Sequence, residues 1–231
     1  MTFKLTELWG HMGPFAQFII IVMAVMSVVS LVILAERALV FRTSRRNSRR
    51  FAAEMGPLLA RGDFEAVARA KTGGDMGYLG RTIRAGLAAY NVSTTDSDSR
   101  DEAMESVARS LERQAQREVQ SLKRGLGLLA TVASTAPFVG LLGTTMGIVT
   151  AFEQMGASNA GGIGTISTGI SEALVTTAFG LLVAIPAVMA YNSLQGWVDA
   201  RAVDVSEASN EFLDAAARAL KRARAAAAAA R

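Results

Sequence analysis

The chain has 231 residues, of which 51% are hydrophobic and 19% charged, with 24 Lys and Arg against 20 Asp and Glu and no cysteine. This composition excludes a disordered chain, a disulfide-built secreted module and a nucleic-acid binder that relies on global positive charge. Charged residues are absent from four long runs, at 8–35, 125–152, 154–171 and 173–198. A soluble domain rarely leaves such gaps, because its helices keep one polar face in water. The sequence therefore predicts a membrane protein.

Three apolar segments are long enough to span a bilayer, since about 20 helical residues cross a hydrocarbon core of about 30 Å. We assign the spans to residues 15–41, 125–152 and 171–194. The first apolar run is longer than the roughly 7–15 residues of a cleaved signal peptide, and arginines follow it. We therefore interpret it as a retained span.

The placement of lysine and arginine predicts the orientation of the spans. Basic residues follow the first span and precede the second: Arg42, Arg45, Arg46, Arg49, Arg50, Lys123 and Arg124. The segment 153–170 has none. By the positive-inside rule, residues 42–124 and the C-terminal segment 195–231 are cytoplasmic. The N-terminal segment 1–14 and the loop 153–170 then face the outside.

The region 42–124 is predicted to be helical. Asp63 is placed to cap a helix that begins near Phe64. A turn around residues 72–75 leads to a second helix, with Ile83 and Leu87 on one face. The polar stretch 91–99 is predicted to be a loop, and it ends in a capping-box pattern of Ser99 and Glu102.

Two long helices are expected to extend the second and third spans into the cytoplasm. Apolar residues recur every three or four positions from Met104 to Leu126, and this helix is expected to run unbroken into the second span. A second helix is expected to run from Ser171 to Leu220, about 75 Å at 1.5 Å per residue. The predicted fold is an all-α integral membrane protein with three transmembrane helices and these long extensions.

Sequence patterns of enzymes are largely missing. The single histidine is His11, there is no thiol, and no His-Glu-x-x-His motif or glycine-rich phosphate loop with an adjacent lysine occurs. Serines and threonines in the spans have no Lys or His beside them to act as a base. We therefore expect no enzyme activity, no metal site and no cofactor.

Glu172 is the first candidate for a functional residue, because a carboxylate within a span is costly and usually faces a bundle interior or a water-filled path. A simpler interpretation is that Glu172 occupies the first turn of the third span, where a negative side chain favours the helix N-terminus. Thr176 and Thr177 follow it, and the second span carries Thr144 and Thr145. One threonine alone is weak evidence, since its hydroxyl can bond to its own helix. Several near one carboxylate indicate a polar track.

Small residues predict tight helix packing against the second span, without identifying the partner helix. Gly140, Gly143 and Gly147 lie on one side of the second span, and Gly143-x-x-x-Gly147 is a small-residue packing motif. Pro137 and Pro186 are positioned to kink the second and third spans. Three spans cannot enclose a pore, so an inward-facing Glu172 requires several copies in a ring, and a closed homo-oligomer is the usual solution.

Two stretches of sequence resemble the spans of the TolQ/ExbB/MotA family. They are APFVGLLGTTMGIVTAF at 136–152 and GISEALVTTAFGLLVAIPAVMAYN at 169–192. The resemblance implies an ion-driven motor subunit of the bacterial inner membrane, with a periplasmic N-terminus and a cytoplasmic C-terminus. It also implies a ring of commonly five copies around the single spans of two TolR/ExbD-like partners, whose aspartate takes the proton.

The family's functional residues fall on particular positions of this chain. The pore glutamate corresponds to Glu172, the second-span threonine to Thr144 and the third-span threonine to Thr177. Thr176 stands where many relatives have a small apolar residue, but it lies one helical turn from Glu172 and is kept as a second candidate. Thr145 completes the predicted ion pathway, and the proton is favoured over sodium.

The resemblance also indicates partners. The TolR/ExbD-like chain would pass force to a TonB/TolA-like or other envelope protein, with membrane lipids as a further partner and no nucleic acid. The span motifs fit the TolQ/ExbB branch better than the flagellar branch, whose subunits have four spans. Transport energisation, Tol-type envelope function and surface gliding all stay open.

Two other functions stay open at this point. The chain could be a passive scaffold in which Glu172 only caps a helix. It could also be a permease subunit, although such a protein needs discontinuous helices, and no inverted repeat is evident between the spans.

Overall fold

A computed structural model describes residues 9–10, 12–69, 74–96, 99–157 and 163–229. Its helices are α1 (Pro14–Arg61), α2 (Phe64–Arg69), α3 (Gly77–Asp96), α4 (Arg100–Lys123), α5 (Leu126–Ala157) and α6 (Ile163–Ala229). The secondary structure of these residues is helical throughout, with short turns between helices. The all-α prediction is thereby confirmed. His11, residues 70–73 of the predicted turn region and residues 158–162 of the predicted loop lie outside the described residues.

Three of the helices are long and apolar enough to cross a membrane. They are α1, α5 and α6; α1 and α6 contain the predicted spans 15–41 and 171–194, and α5 contains all of the predicted span 125–152 except Gly125. The prediction of three membrane-spanning helices is confirmed by their length and composition. The unbroken helix expected from Ser171 to Leu220 is also confirmed, because α6 includes both residues.

The chain divides into two compact units. The apolar unit contains Met1–Glu36 and Gly125–Leu194, and the charged unit contains Arg37–Arg124 and Gln195–Arg231. α1 and α6 contribute residues to both units, and α5 belongs to the apolar unit alone.

The apolar unit has a core of small and medium side chains and large side chains outside. Its buried cluster contains Ile19, Met23, Val132, Ala133, Ala136, Val183, Ala184 and Ala187. The exposed fraction is 69% for Phe138, 66% for Leu182 and 60% for Val28. Large apolar side chains on the outer face are what a lipid environment requires, because lipid tails are as apolar as leucine.

The charged unit has an ordinary hydrophobic core. The buried cluster includes Phe51, Phe64, Ile83, Leu87, Leu111 and Phe212, from five different helices. The rings of Phe64 and Phe212 pack with their centroids 5.3 Å apart. Ile83 and Leu87 were predicted to share one face of a helix, and both are buried.

Both predicted helix caps are confirmed. The carboxylate of Asp63 accepts a hydrogen bond from the N–H of Ala66 at 3.0 Å, at the start of α2. The hydroxyl oxygen of Ser99 accepts one from the N–H of Glu102 at 3.2 Å, at the start of α4. Each cap satisfies an N–H group that has no partner within its helix.

The prediction of an unbroken helix into the second span is wrong. α4 ends at Lys123 and α5 begins at Leu126, with a turn at Arg124 and Gly125. Gly125 has a φ of 82°, in the left-handed region that glycine adopts without a steric penalty. Gly125 therefore interrupts the helix, although the pattern of apolar residues in the sequence continues through this point.

The predicted loop at 91–99 is wrong over residues 91–96, where α3 continues to Asp96. Ser93 is buried in this last part of α3. Packing within the charged unit therefore overrides the weak helix propensity of these polar residues. Residues 97–98 lie outside the described part of the chain.

The helices also extend further than the sequence indicated. α1 continues through the arginines after the first span to Arg61, with Pro57 inside it. α5 ends at Ala157 and α6 begins at Ile163, so both enter the range 153–170 that was expected to be a loop.

Candidate ion-pathway site

Glu172 lies well inside a helix. It follows the first residue of α6, Ile163, by nine positions, and the first turn of α6 has no acidic residue. Its side chain is half-buried. The interpretation that Glu172 caps its own helix is therefore wrong, because α6 begins more than two turns earlier than the sequence indicated.

The carboxylate of Glu172 meets the start of a different helix. Its Oε2 accepts a hydrogen bond from the N–H of Gly13 at 3.4 Å. Gly13 immediately precedes α1, and its carbonyl accepts the bond from the N–H of Gln17 at 3.1 Å. Glu172 thus lies at the N-terminus of α1, where unpaired N–H groups favour a negative partner.

Thr176 is buried at the interface between α5 and α6. Its side chain has no exposed surface, and its hydroxyl donates to the carbonyl of Ala173 at 2.7 Å. The same hydroxyl lies 3.5 Å from the carbonyl oxygen of Gly140 on α5. A Cβ on Gly143 would be 2.6 Å from the Thr176 hydroxyl oxygen, so the absence of a side chain there leaves room for it.

Thr177 forms a second bond across this interface. Its hydroxyl donates to the carbonyl of Gly140 at 3.2 Å, and the side chain is half-buried. The candidate residues Thr176 and Thr177 therefore meet at one carbonyl group of α5.

The three predicted packing glycines all face α6. A Cβ on Gly140 would lie 3.1 Å from the Cα of Thr177, and one on Gly147 would lie 3.1 Å from the Cβ of Ala173. Gly180 of α6 takes part as well, since a Cβ there would lie 2.8 Å from the carbonyl oxygen of Ala136. The sequence analysis did not predict a role for Gly180. Gly180 lies against Gly140, and the two backbones approach closely there. Backbones that approach this closely leave room only for glycine.

The two candidate threonines of α5 bond within their own helix. Thr144 is half-buried and donates to the carbonyl of Leu141 at 2.7 Å. Thr145 is exposed and donates to the same carbonyl at 2.9 Å. These bonds use the hydroxyl hydrogens, so each hydroxyl oxygen can still accept a hydrogen bond.

The structure separates Glu172 from the threonine bonds at Gly140. Glu172 and Thr177 are five residues apart on α6, which is about 140° around a helix. The buried side of α6 lies between them, with Thr176 and Gly180 on it. One chain therefore gathers Thr176, Thr177 and Gly140 into a cluster and places Glu172 beside Gly13.

Pro137 lies inside α5 and Pro186 inside α6, and both helices continue through their proline.

Among the described residues, no group of three or more His, Asp or Glu side chains is arranged to hold a metal ion. The candidate site consists of one carboxylate, hydroxyls and backbone carbonyls.

The charged unit contains two polar clusters that the sequence did not indicate. In the first, Arg81 donates to both carboxylate oxygens of the buried Glu118, at 2.9 and 2.6 Å, and pairs with Asp75 at 2.5 Å. The hydrogen bond to Glu118 raises the pKa of the Arg81 guanidinium. The bidentate geometry fixes α3 against α4.

The second cluster surrounds Tyr78, which is 2% exposed. Its hydroxyl donates to Asp204 at 3.0 Å, and Arg201 pairs with the same carboxylate at 3.0 Å. Burial, followed by the hydrogen bond to Asp204, raises the pKa of Tyr78 to about 12. The bonds from Arg81 to Glu118 and from Tyr78 to Asp204 join residues 37 and 126 positions apart, so no local pattern signals them.

The fold and the site define an all-helical integral membrane protein with polar groups between its spanning helices. Residues 76–207, more than half of the chain, match the MotA/TolQ/ExbB proton channel family. The chain belongs to this family, and the resemblance inferred from the two span sequences is confirmed. The match includes Thr144, Glu172 and Thr177.

Individual relatives include both TolQ and ExbB proteins, from the branch that the spans resemble. The chain is 47% identical over 92 residues to the Tol-Pal system protein TolQ of Pseudomonas aeruginosa. The aligned region covers 40% of each chain. It is 45% identical over 96 residues to TolQ of Haemophilus influenzae, covering 42% of each chain. It is 50% identical over 88 residues to the biopolymer transport protein ExbB of Xanthomonas campestris pv. campestris, covering 38% of this chain and 35% of the relative.

The chain thus aligns with about 40% of the length of these relatives. Together with the three spanning helices, the family and these relatives indicate an inner-membrane protein.

Proposed function

We propose that this chain is a subunit of an inner-membrane motor in which proton flow down the proton-motive force drives mechanical work on the cell envelope. The observation that carries the proposal is the position of Glu172. A half-buried carboxylate more than two turns inside an apolar helix is costly unless it serves a function, and this helix belongs to a proton channel family. Thr144, Thr145, Thr176 and Thr177 supply the further polar groups of the pathway.

The site also supports assembly into a closed ring of copies, for which we propose five. Within one chain, Glu172 and Thr177 lie about 140° apart on α6, so one chain does not bring them together. In a head-to-tail ring, each copy turns one side of α6 toward its neighbour, and Glu172 of one copy can approach the threonines of the next. The exposed apolar faces of α5 and α6 provide the surface for such contacts and for lipid.

The ring would enclose a single-span partner of the TolR/ExbD type, for which we propose two copies. The relatives that support this are named as a Tol-Pal system protein and a biopolymer transport protein. A TonB/TolA-like envelope protein is the proposed receiver of force. The Arg-rich start of 42–124 and the absence of Lys and Arg from 153–170 support a cytoplasmic location for 42–124 and 195–231 and a periplasmic one for the N-terminus.

The test of this function is the replacement of Glu172 by glutamine, which keeps the shape of the side chain and removes its charge. We expect Glu172→Gln to abolish both proton flux into vesicles that contain the protein with its partner and the process driven in cells. Glu153→Gln is the matched control, because Glu153 is an exposed carboxylate near the end of α5. Membrane abundance and oligomeric size are measured for both variants and are expected to stay unchanged.

The outcome distinguishes a motor from a passive scaffold. A scaffold tolerates Glu172→Gln and keeps working after the proton gradient is collapsed. Normal proton flux and normal cellular function in the Glu172→Gln strain would therefore disprove the proposed ion pathway.

A further inference from the structure

α1 carries a dense group of arginines on one side. Arg42, Arg45, Arg46, Arg49 and Arg50, here called the arginine stripe, are all exposed. At 100° per residue they fall within an arc of about 140°. The opposite side of this part of α1 is buried through Phe41, Ser44, Ser48 and Phe51.

The arginine stripe contributes little to the stability of this chain. Arg50 pairs with Glu54 at 2.8 Å, and the other four make no ion pair with the described residues. No acidic residue occurs in the sequence between Glu36 and Glu54. Other arginines of the charged unit do have carboxylate partners: Arg81 with Glu118, Arg109 with Glu105 and Arg201 with Asp204. The stripe is therefore a concentration of exposed positive charge that the described carboxylates leave largely unneutralised.

Trp197, a half-buried aromatic residue of the same unit, indicates where the membrane surface lies. Phe41 stacks on Trp197 with ring centroids 4.0 Å apart and an interplanar angle of 9°, and Tyr78 meets Trp197 edge-on at 6.5 Å. Trp and Tyr concentrate at the boundary between hydrocarbon and headgroups. Phe41 is the last residue of the first predicted span, and Trp197 is the second-last residue of the charge-free run 173–198. The first arginine of the stripe directly follows Phe41.

The length of the stripe matches the depth of the headgroup layer and the reach of its charge. From Arg42 to Arg50 the helix rises about 12 Å. The headgroup layer is roughly 5–8 Å thick on each side of the bilayer. Charge in solution beyond it is screened over about 8 Å at physiological ionic strength. All five guanidinium groups therefore lie within reach of lipid phosphates.

We propose that the arginine stripe is a binding surface for anionic phospholipid headgroups and selects them over zwitterionic ones. Guanidinium groups bind phosphate oxygens in a bidentate manner, and several on one side of a helix can bind more than one headgroup. A lipid surface fits better than an acidic protein, because the stripe starts at the aromatic boundary, where lipid phosphates are most concentrated. This inference does not depend on the proposed ion pathway.

The test compares two triple variants that lose the same charge. Delipidated full-length protein in detergent is incubated with equimolar phosphatidylglycerol and phosphatidylcholine, and bound lipids are counted by native mass spectrometry. The unmodified protein is expected to retain phosphatidylglycerol preferentially. Each arginine near an anionic surface is worth about fivefold in binding. We therefore expect the variant Arg42→Gln/Arg45→Gln/Arg46→Gln to lower the preference by about tenfold or more.

The control variant, Arg109→Gln/Arg113→Gln/Arg117→Gln, removes three exposed arginines from α4. It is expected to keep the preference for phosphatidylglycerol. Equal loss in both variants, or equal binding of the two lipids to the unmodified protein, would overturn the proposal. So would loss of association between copies with an unchanged lipid preference, which would assign the stripe to a protein contact.

Two measurements on the unmodified protein cover the case in which the stripe variant fails to fold. Raising the salt concentration to about 0.5 M is expected to weaken the selection of phosphatidylglycerol, because the attraction is screened. Inorganic phosphate at the concentration of the lipid is expected to leave the bound lipid in place, since the lipid is also held by its acyl chains. Selection that is insensitive to salt, or displacement by phosphate, would contradict a lipid headgroup surface.

Discussion

The N–H of Gly13 donates a hydrogen bond of 3.4 Å to Oε2 of Glu172, which joins the start of α1 to the ninth residue after the start of α6. The two residues are 159 positions apart in sequence. The donor is a backbone group at the N-terminus of a 48-residue helix, where negative charge is favoured. The position of the proposed ion-pathway carboxylate thus depends on where α1 begins.

Removing the Gly13 N–H while keeping the chain otherwise intact tests this dependence. We expect Gly13→Pro to lower the free energy of unfolding by about 1 kcal/mol, because proline has no N–H to donate. Gly13→Ala is the control, since a Cβ at this position meets nothing within 4 Å, and its effect is expected to stay within about 0.5 kcal/mol. Denaturant titration in detergent measures both. If Gly13→Ala lowers the free energy of unfolding as much as Gly13→Pro does, the loss of the hydrogen bond does not explain the effect.

The two threonines at the Gly140 carbonyl are expected to differ in their roles. Thr177→Val removes a half-buried hydroxyl and is expected to abolish proton flux. Thr176→Val removes a fully buried hydroxyl whose shorter bond, to Ala173, stays within α6, so we expect it to cost about 1 kcal/mol of stability and to lower flux less than Thr177→Val does. Flux into vesicles and unfolding curves are measured for each, with Thr131→Val as a reference, because Thr131 is exposed on α5 and its hydroxyl bonds to Gly127 of its own helix. The reverse pattern would assign the pathway to Thr176.

Close packing between α5 and α6 predicts a large effect of one methyl group. A Cβ at Gly143 would lie 2.6 Å from the hydroxyl oxygen and 2.8 Å from the Cβ of Thr176, so Gly143→Ala is expected to destabilise the protein by about 1–3 kcal/mol. Gly127→Ala, on the same helix with nothing within 4 Å, is expected to be neutral or stabilising by up to about 1 kcal/mol. The melting temperatures of the two variants are measured by thermal unfolding. Equal melting temperatures would contradict the close packing at Gly143.

Tyr78 predicts a loss of stability at high pH. Its pKa is raised to about 12, first by burial and then by the bond to Asp204, from an ordinary value of 10.0. A raised pKa in the folded state means that the stabilisation is complete below pH 10 and is lost as the pH rises to about 12. The expected loss is about 1–2 kcal/mol, because solvent screens part of the interaction.

The matched variant for this effect is Tyr78→Phe. It lacks the hydroxyl, so its free energy of unfolding is expected to be lower below pH 10 by about 1 kcal/mol and to change less between pH 10 and 12. Unfolding curves at several pH values compare the two proteins. Parallel pH dependences would show that Tyr78 does not titrate in this range.

The sequence is sufficient to predict the three spans, because a charge-free run of more than 20 residues leaves few alternatives to a buried or lipid-facing helix. Local chemistry is also sufficient for the caps at Asp63 and Ser99. It fails at Gly125, since Gly125 and Gly127 look alike in sequence but only Gly125 adopts a positive φ. Which glycine ends a helix is determined by tertiary packing.

The candidate site shows the same limit. The sequence identifies Glu172, Thr176 and Thr177 as polar residues in an apolar helix. It does not reveal that Glu172 meets Gly13, or that both threonines meet Gly140, because these contacts join residues at least 36 positions apart. The two clusters at Arg81 and Tyr78 are missed for the same reason.

The turn at Arg124 and Gly125 has a mechanical consequence. A continuous helix resists bending and twisting, because either motion strains its ladder of hydrogen bonds, whereas a two-residue turn changes direction through a few backbone angles. Torsion that arises at Glu172 can therefore pass along α6 as far as Leu220 through unbroken backbone. No such continuous ladder joins α4 to α5, because the turn at Arg124 and Gly125 interrupts it.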